Sequence, residues 1–176
     1  MTSRDVKLIN IAKIDVIKGT VNSDLNSLSK ILLDNYHNKF ECEVESTYFE
    51  DSICPSNKIV DDIIEQLKID FYAVTKEKIS PLNYWGHIHE KNMSTNMHNH
   101  NDTYVSAVVY VQVPEGSGSI VFRPKLNQYD NSAYSSKFSP ERGVYYMFPG
   151  YLDHFVTRNM SDQLRISLSI NFKRDE

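Results

Sequence analysis

Three side chains that can ligate a metal stand at alternate positions in one short segment, namely His98, His100 and Asp102. Alternate residues of a β-strand point to the same side, so neighbouring members of this set could bind one ion together. A further ligand must come from elsewhere in the fold. His154 is the obvious candidate, because it follows Pro149 and Gly150 and precedes another strand-like stretch.

The choice of ligands decides which metal chemistry is predicted. Two imidazoles with one carboxylate and open coordination positions are typical of non-haem Fe(II) oxygenases. Three imidazoles instead suit Zn(II), Ni(II) or a different class of iron site. A His-x-His pair is also common without a metal: His87 and His89 have the same spacing, and residues 98–102 are compatible with a plain hairpin turn. The spacing alone therefore leaves the site open.

A second polar pattern lies on the strand-like segment 164–172. Its leucines and isoleucines point to one face, whereas Arg165, Ser167, Ser169 and Asn171 point to the other. Such a stripe faces either solvent or a polar pocket inside a barrel. In a pocket, Arg165 could bind a carboxylate through two parallel hydrogen bonds, and Ser167 could add a third.

Length and composition predict one soluble globular domain over residues 1–176, with 40% hydrophobic and 24% charged residues. The net charge of −4 disfavours a broad phosphate-binding surface, so no nucleic-acid partner is expected. Two cysteines are too few for a disulfide framework and fit a reducing compartment. No signal-peptide pattern and no long apolar run is present, so we expect a cytoplasmic protein without membrane contact, in the host cytoplasm if a phage encodes it.

Two amphipathic helices are predicted in the first part of the chain. Residues 23–36 carry apolar side chains at helical spacing, and a second helix begins near Ser56. The apolar stripe of the second helix consists of Val60, Ile63, Ile64, Leu67, Phe71 and Val74, and it should pack on a sheet. We expect His37 to cap the first helix and the acidic segment 41–51 to form a solvated loop or an edge strand.

After Pro81 the apolar pattern changes to the period of two that is typical of β-strands. The predicted strands are residues 82–89, 104–113, 119–123, 143–148 and 164–172. They predict a mainly β, α+β protein: a double-sheet β roll over residues 81–173, braced by the helices and edge strand of residues 1–80. The polar segment 124–142, with Tyr129 and Tyr134, is expected to be a surface loop at the mouth of the barrel, where substrate would enter.

Three segments occur in an order that resembles a known family. They are HNHNDTYVSAVVYVQVP at residues 98–114, YMFPGYLDH at residues 146–154 and NMSDQLRISLSINF at residues 159–172, with Trp85 upstream. Together they resemble the 2-oxoglutarate/Fe(II)-dependent oxygenases of marine bacteria and their phages, over residues 82–173. The resemblance implies a double-stranded β-helix, the jelly-roll or cupin-like fold, with Fe(II) at one open end and 2-oxoglutarate as cosubstrate.

The resemblance also assigns roles to individual residues. It implies His154 as the distal iron ligand, and Arg165 with Ser167 as the residues that bind the far carboxylate of 2-oxoglutarate. Tyr110, on the strand after the histidines, either donates a hydrogen bond to the cosubstrate or is a core or rim residue. No catalytic residue is expected beyond the metal and cosubstrate sites.

The near ligand pair has two interpretations within the family. A His-x-carboxylate pattern selects His100 and Asp102, whereas the His-x-His pattern that is usual in relatives selects His98 and His100. His98 and Asp102 thus compete for one ligand position, and His100 belongs to both interpretations.

The implied activity is hydroxylation of a C–H bond in an amino acid, a peptide or a small metabolite, with release of succinate and CO2. A homodimer is a possibility. One alternative is a cupin-like metal enzyme that uses His98, His100 and His154 without 2-oxoglutarate, and another is a non-catalytic β-roll binding module. Arg165 and Ser167 discriminate between them, because a 2-oxoglutarate enzyme needs a carboxylate clamp and a cupin does not.

Overall fold

The computed structural model describes residues 14–37, 57–124 and 135–176. Its elements in chain order are β1 (Ile17–Thr20), α1 (Leu25–His37), α2 (Lys58–Thr75), β2 (Ile79–His89), β3 (Thr95–His98), β4 (Val105–Gln112), β5 (Ile120–Phe122), β6 (Ser136–Phe138), β7 (Val144–Pro149), β8 (His154–Val156) and β9 (Arg165–Arg174). None of the helices in this part of the chain is long and apolar enough to cross a membrane.

The strands form two antiparallel sheets. The larger has the order β1-β7-β4-β9-β2, and the smaller has the order β3-β8-β5-β6. The chain moves repeatedly between the two sheets, which is the arrangement of a double-stranded β-helix. The predicted fold, mainly β and braced by N-terminal helices, is confirmed.

The two helices pack on one face of the larger sheet. Buried side chains of α1 and α2 share one apolar cluster with the β9 residues Ile166, Leu168, Ile170 and Phe172. Helix α2 begins where the Asn57 side chain accepts a hydrogen bond from the Val60 N–H, which satisfies one of the free donors of the first turn. The helices thus cover the apolar face of β9 and leave its polar face to the interior of the barrel.

One position of the predicted helical stripe differs in the structure. Val74 is 65% exposed, whereas the rest of the stripe is buried as far as Phe71. The last turn of α2 does not pack on the sheet: Val74 lines an open groove together with Tyr104 and Tyr151.

Four strands were not predicted from the sequence: β1, β3, β6 and β8. Each has only three or four residues, which is too short to show a period of two, and each exists because a partner strand pairs with it. Strand β6 lies within the segment 124–142 that was predicted to be a loop. The segment 41–51 and the two tyrosines Tyr129 and Tyr134 lie outside the described residues. His37 is the last residue of α1, and its capping role stays a prediction.

Candidate active site

Three histidines come together at one end of the barrel. One ligand nitrogen from each of His98, His100 and His154 lies within 4.8 Å of the others. His98 and His154 are direct partners in the pairing of β3 with β8, and their ring centroids are 4.3 Å apart. The centroid of His100 is 5.0 Å from that of His98 and 5.3 Å from that of His154. This is a donor set that one metal ion can span.

Backbone carbonyls orient two of these rings. The Nδ1 atom of His98 lies 2.8 Å from the carbonyl oxygen of Asn96, and Nδ1 of His154 lies 2.9 Å from that of Leu152. A carbonyl oxygen can only accept, so in each ring Nδ1 carries a proton and Nε2 is the nitrogen that can bind a metal. Such bonds fix both tautomer and ring orientation in metal-binding histidines. Both Nε2 atoms are therefore prepared to ligate.

A tight turn rather than a strand positions His100. Strand β3 ends at His98, and the His100 N–H donates to the Gly150 carbonyl over 2.7 Å. A Cβ atom on Gly150 would overlap the Thr103 carbonyl oxygen and lie 2.7 Å from that of His100. Only glycine allows the two loops to approach this closely. The alternation expected for a strand over residues 98–102 is therefore not the reason that His98 and His100 meet.

Asp102 lies apart from this group. It is exposed in the turn after β3, whereas His98 and His100 are half-buried and His154 is buried. The structure brings His98, and not Asp102, together with the other two histidines. Asp153, next to His154, accepts a hydrogen bond from the Asn99 side chain over 2.6 Å and so ties the two ligand-bearing loops together.

Burial keeps two of the site histidines, His100 and His154, neutral. It lowers the pKa of His154 to about 3 and, with a smaller contribution from the electrostatic interaction with His98, the pKa of His100 to about 4. Both imidazoles therefore carry a free lone pair at neutral pH, which is the state that binds a metal ion.

The polar face of β9 lines a cavity between the sheets. Arg165, Ser167, Ser169 and Asn171 all contribute to its wall, together with the three histidines. Arg165 is 1% exposed, and Ser167 and Asn171 are 4% exposed. Of the two interpretations of the stripe, the structure thus has the interior pocket and not the solvent-exposed face.

Arg165 is a buried cation with unused donor capacity. Its Nη1 donates to the Ser117 carbonyl over 3.0 Å, while Nε has no hydrogen-bond partner among the described residues. Burial lowers its pKa to about 10, so the guanidinium is still charged at neutral pH. A buried charge with an unsatisfied donor is costly unless an anion pairs with it. The arrangement fits a carboxylate ligand.

Tyr110 also lines the cavity. It stands opposite Ser167 in the pairing of β4 with β9 and packs edge-on against Tyr146, with centroids 6.1 Å apart. Burial raises the pKa of its phenol, which therefore stays protonated and can donate. Tyr110 is thus a buried residue of the cavity wall, and its contact with a cosubstrate stays a prediction.

Strand β2 supplies cavity residues that the sequence analysis places beside the site without a binding role. Trp85, His87 and His89 alternate along β2 and all line the cavity. Trp85 Nε1 donates to His87 Nε2 over 2.6 Å, and the ring centroids of Trp85 and His100 are 5.7 Å apart. The signal in the sequence was the period of two in Trp85-x-His87-x-His89, which places these side chains on one face. Whether this face is turned to solvent or to the cavity could not be predicted from the sequence, because it depends on the position of the second sheet.

Solved structures similar to this one include enzymes that depend on 2-oxoglutarate. The carbocyclase SnoK of nogalamycin biosynthesis superposes with a TM-score of 0.73 at 11% identity, covering 91% of this chain and 79% of its own. A prolyl-4-hydroxylase of Pseudomonas putida gives 0.63 at 14% identity, covering 92% and 93%. A 2OG-Fe(II) oxygenase family oxidoreductase of Burkholderia pseudomallei gives 0.52 at 18% identity, covering 61% and 52%, so the chain spans about half of its length. At sequence identities of 11–18%, these comparisons show a similar fold and nothing more specific.

The sequence itself identifies the family. No curated protein matches the chain. A family model described as "Putative 2OG-Fe(II) oxygenase" matches residues 83–171, half of the chain and the part that holds the three histidines and Arg165. The chain therefore belongs to the 2OG-Fe(II) oxygenase family.

Proposed function

We propose that the protein is an Fe(II)- and 2-oxoglutarate-dependent dioxygenase that hydroxylates a C–H bond of an amino acid, a peptide or a small metabolite, with release of succinate and CO2. The observation that carries this proposal is one cavity with two complementary ends: His98, His100 and His154 together at one, and the buried Arg165 with an unpaired Nε at the other.

The residues present fit both groups that the family uses. Three imidazoles, each with one ligand nitrogen within 4.8 Å of the others, suit a divalent iron ion, and open coordination positions remain for a cosubstrate. A guanidinium with free donors, next to the Ser167 hydroxyl, suits the far carboxylate of a 2-oxo diacid. Bound together, iron and cosubstrate would supply the oxidising power for C–H cleavage.

The contribution of this chain is binding, orientation and exclusion of water. We propose His98, His100 and His154 as metal ligands. Asp102 is the alternative to His98, but its position in an exposed turn argues against it. In this proposal Arg165 and Ser167 hold the far carboxylate, and Tyr110 donates to the cosubstrate from β4. Two serines and an asparagine on neighbouring strands continue the polar wall, with Ser106 Oγ donating to Asn171 Oδ1 over 2.8 Å. Fixed polar groups of this kind hold reactants in a productive geometry.

The similar solved structures indicate which substrate classes to consider. The similar structures include a carbocyclase of nogalamycin biosynthesis and a prolyl-4-hydroxylase, so one fold serves reactions on different kinds of substrate. We propose a substrate of one of these classes for this protein. A homodimer, a cytoplasmic location, the absence of a nucleic-acid partner and the division at residue 80 stay predictions.

The test is an anaerobic titration of metal-free protein with Fe(II) and then 2-oxoglutarate, followed by the visible charge-transfer band of the iron chelate. A saturable band supports the proposal and justifies a substrate search. Iron binding without the band would contradict it and favour the cupin-like alternative. No iron binding would leave the binding-module alternative.

A further inference from the structure

His87 lines the cavity and interacts with both the metal-ligand candidates and Arg165. It lines the cavity from β2 of the larger sheet, whereas His98 and His154 lie on β3 and β8 of the smaller sheet. Its ring stacks on that of His89 with centroids 5.7 Å apart and an interplanar angle of 23°. Arg165 and all three site histidines lie close enough to interact with it electrostatically. It is thus within electrostatic reach of both ends of the cavity, which the proposed cosubstrate would bridge.

Trp85 determines which nitrogen of His87 carries the proton. The indole N–H can only donate, and it lies 2.6 Å from His87 Nε2. Nε2 must therefore accept, and in a neutral ring the proton is on Nδ1. The ring can offer that Nδ1–H to a molecule in the cavity, whereas Nε2 is already engaged.

The ring is neutral under working conditions. Burial, with a smaller contribution from the Arg165 charge, lowers the pKa of His87 to about 3. A neutral donor adds no further charge to a cavity that already contains a guanidinium, and its tautomer does not change between mildly acidic and alkaline pH.

We propose that His87 is a cosubstrate-binding residue whose Nδ1–H donates a hydrogen bond to an oxygen of the bound 2-oxo acid, and that Trp85 is a positioning residue that holds the ring in the donating tautomer. This inference rests on the proposed function. It adds a contact from β2 to the residues that β4 and β9 supply.

Two substitutions of similar size separate the two ring nitrogens. In His87→Asn the amide nitrogen can occupy the place of Nδ1, so the donor is kept while the bond from Trp85 is lost. In His87→Gln the amide reaches the place of Nε2, so the bond from Trp85 is kept while the Nδ1 donor is lost. Both variants are assayed for Fe(II) affinity, for 2-oxoglutarate affinity from the charge-transfer band, and for thermal stability.

We expect the two variants to differ in their affinity for 2-oxoglutarate and not in their affinity for Fe(II). Both variants bind Fe(II) as the unchanged protein does. His87→Gln binds 2-oxoglutarate about tenfold or more weakly, the loss typical of a hydrogen bond to a charged group, and His87→Asn stays within about threefold. Trp85→Phe, which frees the tautomer, gives an intermediate loss.

Other results overturn the inference. Equal 2-oxoglutarate affinity in His87→Asn and His87→Gln means that the Nδ1 donor is not used, and a loss of Fe(II) in both means that the ring supports the metal site instead. If the unchanged protein shows no band with Fe(II) and 2-oxoglutarate, the proposed function fails first. A band in the unchanged protein with no difference between the variants refutes the role of His87 alone.

Discussion

Replacing Arg165 by methionine removes the guanidinium from the cavity while keeping a side chain of similar length. The structure gives this residue one bond to the protein, from Nη1 to the Ser117 carbonyl, and an unpartnered Nε among the described residues. Its remaining donors therefore suit a ligand carboxylate. A bidentate contact between a guanidinium and a carboxylate consists of two charge-assisted hydrogen bonds, each worth about 1.5–3 kcal/mol.

These values give the size of the expected loss. Two such bonds sum to about 3–6 kcal/mol, so the affinity for 2-oxoglutarate should fall by roughly a hundredfold to ten-thousandfold. Affinity for Fe(II) should not change, because the metal-ligand candidates lie on β3, on the following turn and on β8 rather than on β9. Stability of the ligand-free protein should change little, since the lost bond to Ser117 is offset by removal of a buried charge.

The assay is the anaerobic titration described above, with two controls. Arg165→Lys keeps the charge but loses the planar fork, and should lie between the methionine variant and the unchanged protein. Arg174→Met makes the same substitution at the exposed end of β9, where Arg174 pairs with Glu77, and should leave 2-oxoglutarate affinity intact. If Arg165→Met keeps iron and binds 2-oxoglutarate within about threefold of the unchanged protein, Arg165 is not the carboxylate partner and the reasoning from its free donors is wrong.

Further predictions concern the metal site and its supports. His154→Ala and His98→Ala should each weaken Fe(II) binding by tenfold or more, as measured by anaerobic metal titration, whereas Asp102→Ala should not; the reverse order for positions 98 and 102 would restore the carboxylate interpretation. In the metal-free protein, the pKa of His100 is lowered from 6.5 to about 4 and that of His154 to about 3, so the unfolded state takes up protons first as the pH falls. The free energy of unfolding should therefore fall between pH 6.5 and 4, by about 1.4 kcal/mol per pH unit for each such histidine, and a flat profile in urea unfolding would contradict this. Gly150→Ala should displace the His100 turn and weaken iron binding as well as stability, because its Cβ would overlap the backbone of Thr103; Gly116→Ala meets open space and is strained only by its φ of +75°, so it should affect stability alone.

Much of the architecture could be predicted from the sequence because its periods are properties of the backbone. Alternation of side chains along a strand is local geometry, so the long strands β2, β4 and β9 were predicted to within a few residues, and the helical spacing gave both helices. Short strands carry no such period. Strands β3 and β8 form only because they pair with other strands, so the contact between His98 and His154 could not be predicted from the sequence. The exposed end of α2 at Val74 shows the same limit, since helical spacing does not say where the opposing sheet ends.

By itself, the sequence determined the chemical types available and their order: a His-x-His-x-Asp segment, a later histidine, and an alternating Arg-x-Ser strand whose order resembles one family. Tertiary structure alone decided which of these groups meet. It turned the polar face of β9 inward, brought His98 rather than Asp102 to the other two histidines, and added Trp85 and His87 from β2 to the same cavity. The physical reason is that a side chain's direction follows from its own backbone, whereas its surroundings depend on the sheet that closes over it.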